Sequence, residues 1–560
     1  MTKYIVAFLL ILTSVTSYAK TPKQQRQGAV ATAHPAATVA GEETLRLGGN
    51  AFDAAVAIAG ALAVVEPYNS GLGGGGFFLL RKPGKNHPSY HFIDARERAP
   101  LAANQDMYKR EGKVQPYLSL NGPLAAGIPG VPAALVYLAK KYGHLSLRES
   151  LTPAIRLARD GVSFNDVYLN RAQFRLNTLR NNPETARIFL AENDIPPLFG
   201  LLRQPELAHT LEKIADQGKA GFYTGDTAQK LVSSVRAAGG IWTLNDLRNY
   251  KVIERKPIRT SITGGRELIS APPPSAGGIA LAQSLGILEQ LPWKTSNKVQ
   301  RIHYTVEALR RAYHDRGLLG DPDFVKIPTR KLLNVNYLKK MAANIDDNRA
   351  TPSYLLPKAP AWKEGMHTTH FTVIDKKGNA VSATLSLNLP FGSGFTAKGT
   401  GVLLNDQMDD FAADINGSNV YGLTGSQANS IAGGKRPLSS MSPTFIESKN
   451  EVASFGTPGG SRIPSMVLLA ILQYMDNQPI NTWTSTPRYH HQYLPDVIEY
   501  EPKAFSSTQK AELKRRGYIL RPLNRHYGNL QVLRWNKRTG KAEAASDPRE
   551  LGTAVVTPRH

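Results

Sequence analysis

The 560-residue sequence contains no cysteine. That absence excludes structural disulfides, thiolate zinc sites and a cysteine nucleophile. Beyond Lys20, no run is long and apolar enough to span a membrane. Ala51 to Val65 comes closest, but its modest length and Asp53 mark it as a buried helix. Internal repeats, low-complexity tracts and coiled-coil heptads are also missing. Acidic residues are few beside basic ones, 44 against 68, which leaves a formal charge of +24. The basic residues are spread along the chain, and the densest stretch, Lys514 to Lys541, lacks the spacing of a nucleic-acid motif. They read as a solvated surface that helps attract anionic small molecules. No nucleic-acid partner is expected. What remains is the composition of a globular enzyme, 41% hydrophobic and 20% charged.

The N-terminus, MTKYIVAFLLILTSVTSYAK, stands apart. Lys3 is a positive n-region, Ile5 to Leu12 a short apolar core, and Ser17-Tyr18-Ala19 a small-x-small cleavage pattern. Residues 1–19 therefore read as a secretory signal peptide, with the mature chain starting near Lys20. An uncleaved anchor is the competing reading, and the apolar run is short for it. Export without cysteine fits a bacterial periplasm or full secretion.

From Gly28 the pattern predicts a strand, a helix from about Ala37 to Leu47, and a second, apolar helix over Ala51–Val65. The glycine run Gly73 to Gly76 precedes a strand, Phe77 to Arg81, where a phosphate loop should follow one. Its glycines therefore read as sites of close backbone contact that a Cβ would block. Pro123 to Val299 reads as helices with polar loops, among them Gly278–Leu291 after the proline-rich APPPSAGG. Residues 350–367 read as an exposed connector. Beyond it the chain turns to short strands, hydroxyls and glycines.

The stretch EGMHTTHFTVIDKKGNAVSATLSLN, Glu364 to Asn388, predicts a hairpin. In its second strand Val381, Ala383, Leu385 and Leu387 alternate with Ser382, Thr384, Ser386 and Asn388, so the two sets take opposite faces. The polar face either meets solvent or lines a site. Short hydroxyls, rather than Lys or Glu, and a neighbouring Thr368-Thr369-His370 favour a site. A threonine hydroxyl is a poor nucleophile without a base. A free α-amino group, with a reference pKa of about 7.7–8.0, can take its proton. Cleavage before the threonine would put nucleophile and base in one residue. The spacing of His367 and His370 could suit a metal on a helix, but the segment reads as loop into strand, so neither metal nor cofactor is expected. His490-His491 reads as structural.

Several motifs in order, GGNAFDAAVA, GLGGGGFF, IDARERAP, LGDPDFVKIP, TTHFTVIDKKGNAVSATLSLN, LLNDQMDDF, NVYGLTG, KRPLSSMSPT, GTPGGSR and PRYHHQYLPD, resemble the γ-glutamyltranspeptidase family. The resemblance covers about residues 27 to 550. It implies an α+β, four-layer αββα sandwich of the N-terminal-nucleophile hydrolase type. It further implies self-cleavage between His367 and Thr368 into a large subunit, 20–367, and a small one, 368–560. The two would stay associated as one composite catalytic domain.

By the same resemblance Thr368 is the nucleophile, supported by Thr369 and His370, and Ser386 contributes a supporting hydroxyl. Gly459 and Gly460 supply oxyanion-hole amides. Arg96 holds the substrate carboxylate, with Ser439 and Ser440 beside it; Asp410 accepts from the ammonium, with Asn388 and Gln407. The implied donors are glutathione and other γ-glutamyl compounds, and the acceptors are water, amino acids or peptides. Taken alone, Arg96 reads as a surface ion pair, Pro458-Gly459-Gly460 as a turn, and Asp409 is chemically identical to Asp410. The family carries threonine where this chain has Ser386, and several members have Thr or Gly at the position of Pro390. Phe411 to Gly425 resembles the family's lid. Two alternatives remain: a same-fold acylase acting on another amide, of the glutaryl or cephalosporin type, and a non-catalytic, basic, exported binding protein.

Overall fold

A computed structural model describes residues 26–356, 367–413 and 426–558. The signal-peptide reading, the scissile connector and most of the lid lie outside those residues. Among the described residues, thirteen strands build the two main sheets. In chain order they are β1 (Ala29–Thr32), β2 (Gly75–Lys82), β3 (Ser89–Ala95), β4 (Ile253–Arg255), β5 (Ile258–Ile262), β6 (Arg266–Ser270) and β7 (His367–Ile374). They continue as β8 (Ala380–Asn388), β9 (Thr444–Glu447), β10 (Glu451–Gly456), β11 (Gln531–Asn536), β12 (Ala542–Ser546) and β13 (Thr553–Val556).

The first sheet runs β13-β1-β7-β8-β2-β3-β4 and the second β12-β11-β10-β9-β6-β5. Neighbours within both are antiparallel. Their inner faces meet where β7 packs on β10 and β11. Helices α1 (Pro35–Arg46) and α2 (Ala51–Val65) cover the outside of the first sheet. Helices α3 (Gly277–Leu288) and α4 (Ile463–Met475) cover the second. The result is the helix–sheet–sheet–helix sandwich the resemblance implied, a solution that buries both faces of each sheet.

The sequence dictates these layers locally. All fifteen residues of α2 are buried. Asn50 caps it by accepting from Phe52 and Asp53 N–H, while the Asp53 carboxylate accepts from Asn50 N–H and from the amides of His144 and Leu145. The one acid in an apolar helix is thus fully occupied as a cap. In β2, Phe78 and Leu80 enter the core beneath α2, whereas Phe77 and Leu79 enter the core on the second sheet's side. A strand buried on both faces reads as a continuous apolar run.

Two expectations change. The interval Pro123 to Val299 is not only helices and loops: it holds β4, β5 and β6. β4 and β5 are sheet edges, and these strands carry Glu254, Arg255, Arg259 and Glu267. Charge on edge strands is ordinary protection against edge-to-edge pairing, and here it hides the strand periodicity. The connector reading changes at Ser353, which is buried, donating to Tyr493 O at 2.6 Å and accepting from Arg310, while Tyr354 and Leu355 beside it are exposed.

The polar face of β8 does not meet solvent. Ser382, Thr384, Ser386 and Asn388 are all 3% exposed or less. They face the interior between the sheets with Thr368, His370 and Thr372, which pair with Ser386, Thr384 and Ser382 across the ladder. Thr372 Oγ1 donates to Ser454 Oγ of the second sheet at 2.7 Å.

Candidate active site

Thr368 lies at the start of β7, where the ladder to β8 shifts register between His367 and Thr368. Its hydroxyl is 3.3 Å from Ser386 Oγ, which also accepts from Asn388 N–H at 2.9 Å. A small cavity opens over it. Arg96, Thr368, Ser386, Asn388, Gln407, Asp410, Ser439 and Gly460 line that cavity, with Met441 and Ile463. Eight residues proposed from widely separated motifs therefore share one wall. Met441 and Ile463 were not anticipated; an apolar residue in a site carries no sequence signal that separates it from core.

The glycine run brings two of these walls together. A Cβ at Gly73 would sit 2.0 Å from Leu403 O, and one at Gly74 2.2 Å from Ser386 O. Close approach of backbones is what these glycines allow. Asn405 completes the joint, donating to Gly73 O and Gly127 O at 2.7 and 2.8 Å.

Arg96 follows β3 and is fully buried. Its guanidinium donates to Asp410 Oδ2, to Glu97 Oε2 at 3.3 Å and to Pro437 O at 3.1 Å. Asp410 Oδ2 also accepts from Gln407 Nε2 at 2.7 Å. Asp409, one residue earlier, points elsewhere and accepts from Ser119 Oγ at 2.6 Å, so the two acids separate cleanly. Burial pushes the neighbouring Glu97 carboxyl up to about 7, against the lowering pull of Arg96. Among the described residues, Asp410 Oδ1, Gln407 Oε1 and Ser440 Oγ are buried without a partner.

Ser439 is braced by the proline-rich turn, donating its N–H to Pro274 O at 2.8 Å and accepting from Ala276 N–H at 2.7 Å. Ser440 is adjacent and buried but does not line the cavity. Gly459 and Gly460 precede α4 with φ of 138° and 57°. Gly460 lines the cavity; Gly459, the residue before it, does not. His370 is neutral: burial lowers it to about 3, and its Nδ1 pairs with Thr384 Oγ1 at 2.8 Å. His490 and His491 are likewise buried, bonded to Ser465 and Asp496. Among the described residues no cluster of His, Asp and Glu is arranged to hold a metal ion.

The gamma-glutamyltranspeptidase family model matches residues 37–557. This chain belongs to the γ-glutamyltranspeptidase family. It is 40% identical to the glutathione hydrolase proenzyme of Escherichia coli (strain K12), over 95% of this chain and 92% of the relative. It is 41% identical to that of Pseudomonas aeruginosa, over 94% of each. Among solved structures, cephalosporin acylase from Bacillus halodurans superposes with a TM-score of 0.83 at 25% identity, covering 97% of this chain and 99% of that one. Helicobacter pylori gamma-glutamyltranspeptidase gives 0.56 at 37% identity, over 58% of this chain and 93% of that one. The family is one of γ-glutamyl hydrolases and transferases. The acylase shares the architecture at lower sequence identity.

Proposed function

We propose that this protein is an exported γ-glutamyl hydrolase and transpeptidase that matures by cutting itself before Thr368. The observation that carries the reading is the Arg96–Asp410 ion pair buried beside the Thr368 hydroxyl. A buried ion pair tolerates removal of one partner poorly. A substrate with a free α-amino acid end offers a carboxylate to Arg96 and an ammonium to Asp410, so each charge exchanges one partner for another. A glutaryl group lacks the ammonium and would leave Asp410 uncompensated. That difference favours the γ-glutamyl reading over the acylase alternative, as does 40% identity to glutathione hydrolases.

In the matured enzyme the Thr368 α-amine takes the hydroxyl proton. The Thr368 oxygen attacks the γ-carbonyl carbon, and the N–H groups of Gly459 and Gly460 hold the oxyanion. Collapse releases the amine with its proton and leaves a γ-glutamyl ester on Thr368. Water then yields glutamate, or an amino acid or peptide yields a new γ-glutamyl amide. Ser386 keeps the hydroxyl that supports Thr368 and lacks the methyl that stiffens χ1.

Maturation would leave both sheets composite. In the first sheet, β7 and β8 of the small subunit lie between β1 and β2 of the large one. In the second, β9 of the small subunit pairs with β6 of the large. The subunits are therefore expected to remain together without a covalent link. No helix among the described residues is long and apolar enough to cross a membrane, which is compatible with periplasmic or secreted delivery by residues 1–19.

Denaturing intact mass with N-terminal sequencing tests the reading. Two fragments are expected, one beginning Thr-Thr-His-Phe, and Thr368→Ala should stay whole and inactive. A single uncut wild-type chain, or an active alanine variant, overturns it.

A further inference from the structure

Asn388 ends β8 opposite His367 and lines the cavity. Its backbone is left-handed, with φ of 80°, which is uncommon for a residue with a side chain. An asparagine amide presents a donor end and an acceptor end, and the hydrogen-bond partners decide which way it faces. Here the nitrogen end is fixed by two acceptors on one residue. Asn388 Nδ2 is 3.1 Å from Asp406 O and 3.2 Å from Asp406 Oδ2. The backbone carbonyl cannot donate, so the nitrogen must face Asp406. The oxygen end takes no donor among the described residues.

The same acid shapes the backbone around Asn388. Asp406 Oδ1 accepts from Leu389 N–H at 3.0 Å, and Asp406 N–H donates to Leu387 O at 3.1 Å. Residues on both sides of the left-handed position are thus tied to one residue, Leu389 through the Asp406 side chain and Leu387 through the Asp406 backbone N–H. Asp406 is itself fully buried. Burial raises its carboxyl well above the ordinary range, Arg175 pulls it down, and Asp409 and Asp410 push it further up; Arg175 also donates to Gly392 O at 2.8 Å.

We propose that Asp406 is a positioning residue for substrate choice: it turns the Asn388 amide so that its carbonyl oxygen, rather than its NH2, meets the ammonium of the γ-glutamyl group. The inference rests on the γ-glutamyl reading above. It assigns Asp406 a task separate from Asp410: Asp410 supplies the charge, and Asp406 fixes the second acceptor. Removing the side chain takes away one of the two acceptors on the Asn388 nitrogen and the tether on Leu389 N–H, leaving the Asp406 backbone carbonyl alone to hold the amide.

The test uses matured full-length protein and two anilides, γ-glutamyl-p-nitroanilide and glutaryl-p-nitroanilide, which differ by the amino group alone. For Asp406→Leu, KM for the γ-glutamyl compound should rise about tenfold, the worth of one hydrogen bond. Its kcat, and both constants for the glutaryl compound, should change far less. The ratio of the two kcat/KM values should then fall about tenfold. Asp406→Asn still offers a carbonyl acceptor and should keep most of the ratio. If the leucine variant does not fold, Asp406→Ser, too short to hold the amide, carries the same expectation. An unmoved ratio in the leucine or serine variant, or equal losses on both compounds, overturns the proposal. A wild type that does not prefer the γ-glutamyl compound overturns the underlying reading, and this one with it.

Discussion

Gly456 ends β10, and a Cβ there would lie 2.1 Å from the Cε1 of the His370 ring and 2.3 Å from its Nδ1. The ring sits on the same face of β7 as Thr368, two residues away. It is neutral, buried and tied to Thr384, so it works as a spacer between the sheets rather than as a base. Gly456→Ala must push the ring or the strand. Overpacking of this kind costs about 1–3 kcal/mol. The expected outcome is a lower Tm with a lower kcat, because the displaced strand carries the nucleophile. Thermal melts beside steady-state kinetics check it; an unchanged Tm would mean that the ring has room the geometry denies. The sequence singled out His370 as a support of Thr368, but its partner Gly456 lies 86 residues away, and nothing local marks that glycine. Asp409 and Asp410 are equally indistinguishable in sequence, and the fold separates them, setting Asp410 against Arg96 and Gln407 and Asp409 against Ser119.

The turn into α4 depends on backbone geometry. Gly459 has φ of 138°, and an added Cβ would meet Met466 Cε of α4 at 2.5 Å. Any side chain there strains the turn and rotates its amides. Gly459→Ala should lower kcat by roughly 10²–10³, the scale of losing an oxyanion donor, with a smaller change in KM. Kinetics on the matured fraction measure this; an intact kcat would remove the loop from the mechanism. Elements with strong local signals were legible: α2 over Ala51–Val65, the β7–β8 hairpin, and the glycine run as a place of backbone contact. Elements defined by distant partners were not. β4 to β6 are short and carry charges, β4 and β5 at sheet edges, so they read as loop. The polar face of β8 is buried only because a second sheet covers it. Asp406 is invisible as a functional residue because its role is set by Asn388, eighteen positions earlier and on another element.

Taken over the whole molecule, buried ionisable groups set opposing pH limits. Burial lowers His370 and His490 to about 3 and His491 to about 4. A histidine held neutral in the fold takes up protons first when unfolded, so its contribution is full above about 6.5 and is lost as pH falls toward 3 or 4. Burial acts oppositely on two carboxyls, raising Glu66 to about 8 and Glu97 to about 7. A raised acid binds its proton more tightly in the fold. Its contribution is full below about 4.5 and is lost as pH rises through 7 or 8. Each such group changes stability by about 1.4 kcal/mol per pH unit across its window. Burial lowers His34 to about 4 and also lowers His303, and it raises Asp406 and Glu550 alongside the two acids; above about pH 6.5 the histidines no longer contribute and only the raised acids act. Tm should therefore decline from about pH 6.5 toward pH 8. Glu66 identifies the alkaline limb, since it is 1% exposed with Oε2 lacking a partner among the described residues. Glu66→Gln removes the ionisation while keeping the shape, and should flatten the decline between about pH 6.5 and 8 and steepen the rise between about 4.5 and 6.5. Melts of both proteins across pH 4 to 9 decide it. A glutamine variant that declines as steeply as wild type would mean that Glu66 ionises in the fold as freely as in the unfolded chain.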